Sequence, residues 1–81
     1  MNDRQVLDQI NELMDEEHQL LEAHSSGKAM TDEERQRMHQ VQVWLDQCWD
    51  LLRQRRGRRH AGQNPDEAQV RPESIVEKYV Q

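Results

Sequence analysis

Two stretches of this chain carry residues that could do chemistry. Asp15-Glu16-Glu17-His18 places three carboxylates beside an imidazole. Carboxylates and His on a helix bind divalent metals, and di-metal four-helix proteins use Glu-x-x-His for the purpose. The spacing here is off: the residue three before His18 is Asp15, and His39 is preceded at that spacing by Gln36. No metal site is expected. The second stretch is Arg53, Arg55, Arg56, Arg58 and Arg59, five cations within seven residues. Guanidinium forks grip phosphate oxygens, so this run is a candidate anion site. The lone Cys48 has no base or cation beside it to make a nucleophile, and it reads as a small core residue.

No nucleophile with base and oxyanion donors is discernible, and no glycine loop is suited to phosphate. The chain is expected to be no enzyme and to need no cofactor. With one cysteine there is no internal disulfide, which suits a reducing cytoplasm. The start, MNDRQVLDQINEL, lacks a signal-peptide pattern. No apolar run is long enough to span a bilayer, so no membrane partner is expected. A net charge of −5 does not suit a general nucleic-acid coat.

The elements that must position these residues follow from apolar spacing. Val6, Leu7, Ile10, Leu13, Met14, Leu20 and Leu21 recur at threes and fours, predicting a helix over about 3–25 that Asn2 or Asp3 caps. Ser25-Ser26-Gly27 ends it, with Gly27 free to turn left-handed. Thr31-Asp32-Glu33-Glu34 is a capping box opening a second helix over 31–60. Its apolar line runs through Met38, Val41, Trp44, Leu45, Cys48, Trp49, Leu51 and Leu52. A short loop makes the two antiparallel, with Ile10 near Cys48. Residues 61–81 form a tail punctuated by Pro65 and Pro72. A short helix over 72–79 is possible there, with Pro72 at its first position.

Charge supports the hairpin. Residues 1–34 carry ten acids against Arg4 and Lys28, a balance of −8, and residues 35–60 carry seven arginines against two aspartates, a balance of +5. Arg55 and Arg59 should project toward Asp3, and Arg53 outward. Internal pairing is thus the main expectation for the arginine run, ahead of a nucleic-acid, phosphate or acidic-protein partner. Glu17, on the apolar line, is expected to be partly buried against Arg37 or an indole N–H. Asp46 and Asp50 are expected on the outward face, Asp50 reaching Arg53.

Two helices do not close this core. The apolar arc of the second helix spans roughly 140°, more than one neighbour shields. Met38, Leu45, Trp49 and Leu52 are therefore expected to form an interface. Either the tail folds back through Ile75, Val76 and Tyr79, or two hairpins associate as a four-helix bundle; the homodimer is favoured. The expected protein is all-α: an antiparallel hairpin with a short C-terminal helix, acting as an interaction module. The alternative is a small phosphoanion binder.

The run Asp15-Glu16-Glu17-His18, the dodecapeptide Leu45-Asp46-Gln47-Cys48-Trp49-Asp50-Leu51-Leu52-Arg53-Gln54-Arg55-Arg56, then Asn64-Pro65-Asp66, Val70-Arg71-Pro72 and Val76-Glu77-x-Tyr79-x-Gln81, together resemble a family of short bacterial proteins known as domain of unknown function 2630. The likeness spans nearly the whole chain. The family tends to have Asp-Pro where this chain has Asn64-Pro65. The resemblance implies an architecture in which the tail belongs to the folded unit, and it implies no activity.

Overall fold

A computed structural model of the chain describes residues 1–24 and 27–80, with side chains as far as residue 77. Among these the fold is all-helical: α1 spans Asp3–Ala23, α2 Asp32–His60 and α3 Glu73–Val80, with a single 3-10 turn at Pro65–Glu67. The expected loop residues Ser25 and Ser26, the expected end of α1 at residue 25, and any contact by Tyr79 lie outside the described residues or side chains.

Capping chemistry sets the helix starts. Asn2 Oδ1 accepts from the Gln5 N–H, and the Gln5 side chain accepts in return from the Asn2 N–H, both at 2.8 Å. Thr31 and Glu34 make the same reciprocal pair at 3.1 Å. At the far end of α2 the chain closes as a Schellman turn: the Gly62 N–H donates to the Arg59 carbonyl and the Gln63 N–H to the Arg58 carbonyl. Gly62 sits at φ +73°, a left-handed conformation that costs glycine nothing. α3 begins at Glu73, and the Pro72 carbonyl accepts from Ile75 and Val76.

α1 and α2 pack antiparallel around Val6, Ile10, Leu13, Val41, Leu45 and Leu51, with Cys48, Leu52 and Ala68 against them. Fully burying a residue such as Ile10 contributes on the order of 2–3 kcal/mol. The 3-10 turn and α3 also pack on α2, and neither contacts α1 among the described residues. α2 is therefore the middle of a three-piece stack. Its second buried face comprises Val43 and Asp50, which lie about 140–180° around the helix from Val41 and Leu45. Val76 of α3 is fully buried. The tail thus folds back on the chain, but on the side of α2 away from α1.

This corrects one expectation. Asp50 was placed on the outward face beside Arg53; it is in fact 1% exposed. An acid on that face is affordable because the returning tail brings Arg71 to it. The molecule measures 50 × 24 × 16 Å. Its least dimension accommodates little more than one helix diameter. Both broad faces of the hairpin therefore lie at the surface.

Candidate functional site: charged seams and an open hairpin face

Most of the arginine run is engaged within the chain. Arg55 is buried, donating from Nε to Asp3 at 2.5 Å and from a terminal nitrogen to the Pro65 carbonyl at 3.1 Å and the Asp66 carboxylate at 3.0 Å. It thereby ties the start of α1, the body of α2 and the 3-10 turn together. Arg59 takes the other Asp3 oxygen at 2.7 Å, and Arg58 lies 3.5 Å from Glu67. Arg59 and Arg55 together hold the Asp3 carboxyl at a pKa of about 2. No ion pair of Arg53 or Arg56 is present among the described residues, and both side chains are exposed.

The tail is held by a second seam. Arg71 grips Asp50 through Nε, at 2.9 Å, and through a terminal nitrogen. Gln54 donates to the same carboxylate and to the Gln69 carbonyl, both at 2.9 Å. Gln47 donates to the Arg71 carbonyl at 3.2 Å. Arg71, helped by Gln54, holds the Asp50 carboxyl below its ordinary pKa despite burial. One turn along, Glu77 of α3 faces Asp46 of α2, carboxyl to carboxyl. That hydrogen bond, with burial and the nearby Glu73, raises the Glu77 pKa. Its Oε1 is buried without a hydrogen-bond partner. His39 lies 3.6 Å from Glu73 at the edge.

The acid-and-histidine stretch of α1 is dispersed. Glu16, not Glu17, takes Arg37, at 2.7 Å, and the Arg37 guanidinium stands 5.0 Å from the Trp44 ring centroid. Glu17 is half-buried, as expected. His18 is exposed beside Glu22 at 3.0 Å. His24 closes the loop end, 2.6 Å from Glu34, whose pKa is lowered by the Thr31 N–H and by His24. Among the described residues no three His, Cys, Asp or Glu side chains are grouped to hold a metal. Burial pushes the Cys48 thiol up, so it is a poor nucleophile.

The two broad faces differ. On one, an apolar groove of about 250 Å³ runs between the helices and the tail, lined by Val6, Leu13, Trp44, Cys48, Leu51 and Val70. Sequence periodicity gives no hint of it, because Val70 reaches its wall only through the fold-back. On the other face, Leu7, Met14 and Leu21 are 44%, 49% and 56% exposed, and Trp49 is 43% exposed. The three α1 residues recur every seven positions, one stripe on a helix. Each lies about 70° from the centre of its helix's contact, on the side opposite Glu16 and Gln9. Trp49 lies on α2 opposite Trp44 in the same sense, so helix handedness puts it on the same broad face. Of the four residues expected at an interface, Met38 and Leu45 are buried within the chain, Leu52 is half-buried, and Trp49 is open. Leu7, Met14 and Leu21 stood on the apolar line read for α1 with Val6, Ile10 and Leu13; the structure buries the latter three and leaves the former open.

The fold-back of a Pro-containing tail onto such a hairpin matches the sequence likeness. The model of the family described as "Protein of unknown function (DUF2630)" matches residues 2–81. The chain belongs to this family. Uncharacterized proteins of Mycobacterium bovis and of two Mycobacterium tuberculosis strains are each 44% identical to it over 77 residues, covering 95% of this chain and 88% of the relative. No solved structure matches it. Asn64 holds the turn with its side-chain oxygen, accepting from the Asp66 N–H at 3.0 Å, a bond that a carboxylate at this position would make equally well. No helix among the described residues is long and apolar enough to cross a membrane.

Proposed function

We propose that this protein is a non-catalytic interaction module that acts by self-association, two hairpins stacking face to face into a four-helix bundle in the cytoplasm. One observation carries this reading: the face bearing Leu7, Met14, Leu21 and Trp49 stays open after the tail has docked. The tail was the rival cover for that flank, and it lies elsewhere. Four large apolar side chains stand open on one face of a chain with few apolar residues, the kind of contiguous patch that marks an interaction site. A second copy supplies the same strip, and two-fold symmetry makes the match automatic. A small patch suits a weak, reversible dimer rather than an obligate one.

The phosphoanion reading is weakened by geometry, since Arg55, Arg58 and Arg59 already hold Asp3, Asp66 and Glu67. Sedimentation equilibrium from low to high micromolar concentration tests the main reading. The native chain is expected to shift from monomer toward dimer, and Trp49→Ser with Leu21→Ser to remain monomeric while still helical. A native chain that is monomeric throughout that range overturns it.

A further inference from the structure

Resting on the self-association reading, we infer that the dimer is built on α1 against α1 of the second copy, antiparallel, with the two-fold axis passing at Met14. The stripe is symmetric in itself: Leu7 and Leu21 stand seven residues either side of Met14, and all three are exposed to a similar degree. An antiparallel pair centred on Met14 sets Leu7 against Leu21 twice and Met14 against itself, so every apolar residue of the stripe meets an apolar residue. Stacking α1 on α2 of the second copy does worse. Trp49 is the one large apolar residue exposed on that face of α2, and Gln42 and Arg35 follow it at intervals of seven.

Charge agrees with this arrangement. The row immediately outside the stripe is Arg4, Asn11 and His18, and it holds no acid. Asp8, Asp15 and Glu22 form the next row out, and Glu12 and Glu16 lie beyond the outer side of α1. Two copies of this acidic helix can therefore approach along the stripe without setting carboxylates against each other. Under a two-fold axis at Met14, side chains on the same flank of the stripe meet. Arg4 of one copy then stands within a turn of Glu22 of the other, an acid already oriented by His18 at 3.0 Å. Arg4 makes no ion pair among the described residues. Antiparallel α1 dipoles add to the match. The same operation lays α2 over α2, bringing each Trp49 toward the Met38 end of the other copy.

Cysteine scanning tests the axis. In a Cys48→Ser background, Met14→Cys is expected to oxidise to a covalent dimer as the major species. Leu7→Cys alone should stay largely uncrosslinked, its two copies lying roughly 21 Å apart along the helices. Mixing the Leu7→Cys and Leu21→Cys chains should yield the heterodimer. Sedimentation of the reduced chains is run alongside, and circular dichroism confirms that each is helical. Reduced chains that dimerise while Met14→Cys fails to crosslink overturn the axis and leave self-association standing. Reduced native chain that is monomeric throughout overturns self-association, and the axis with it.

Discussion

Asp50, on α2, and Arg71, in the returning tail, form a two-toothed ion pair at a point where the carboxylate is almost wholly removed from solvent. An isolated carboxylate there would carry a desolvation cost of several kcal/mol. The pair makes its burial tolerable, and in doing so fixes where the tail lands. Gln54 and Gln47 then secure the backbone by donating to the Gln69 and Arg71 carbonyls.

Asp50→Ala should leave Arg71 without its acid and release the tail, at a cost of about 2–3 kcal/mol. Hydrogen exchange read by mass spectrometry is the suitable check. Amides of α3 should lose protection, while those around Ile10 and Val41 keep theirs. Uniform loss across all three helices would mean that the tail is not a separable layer.

Ile10→Ala removes a fully buried side chain from the α1–α2 contact and should cost about 2–4 kcal/mol. The same truncation at Leu21, which is 56% exposed, should cost the monomer no more than ~0.5 kcal/mol. Urea titration at low micromolar concentration separates the two.

Acid should loosen the hairpin through Asp3. Its folded pKa, about 2, lies below its ordinary value of 3.8, so the carboxylate is the favoured form in the fold. The stabilisation is present above pH 4 or so and is lost as pH falls through 3.8 toward 2. Asp50 is shifted in the same direction and adds to the effect. Thermal melts between neutral pH and pH 2 should show this decline, and Asp3→Asn should flatten it. An unchanged slope in that variant would remove Asp3 as the cause.

Glu77 works the other way. Its pKa is raised, chiefly by the hydrogen bond with Asp46, so the protonated form is favoured in the fold. Its contribution is complete below the ordinary value of 4.5 and fades as pH rises through the higher folded value. At neutral pH the two carboxylates oppose each other, and Glu77→Gln should tighten the docking of α3. Slower exchange of the α3 amides at pH 7 in the variant is the expected reading; faster exchange would show that the charge serves the fold.

How far the fold was legible depended on which residues announced themselves. The hairpin did: Val6, Ile10 and Leu13 face Val41 and Leu45, and Thr31 with Glu34 opens α2 as a capping box should. The pairing of Asp3 with Arg55 and Arg59 followed from opposite charge on antiparallel helices. The second face of α2 was not legible. Val43 is a lone valine among its helical neighbours His39, Gln40, Asp46 and Gln47, and Asp50 looks like any surface acid until Arg71, 21 residues on, is brought to it by the Gly62 turn. The groove beside Trp44 was hidden for the same reason. Helix geometry aimed Arg55 and Arg59 at Asp3 and Arg53 outward, as found, but the further grip of Arg55 on the Pro65 carbonyl and Asp66 depends on the tail's return and could not be read from the run.

Among the described residues the 3-10 turn and α3 pack on α2 and not on α1, so residues 61–64 are the covalent link through which the tail reaches α2. Severed there, the chain becomes two fragments whose mutual recognition is already written into Asp50, Arg71 and the socket that receives Val76. A synthetic peptide carrying the last nineteen residues could then be titrated onto the truncated hairpin, turning an internal packing contact into a measurable affinity.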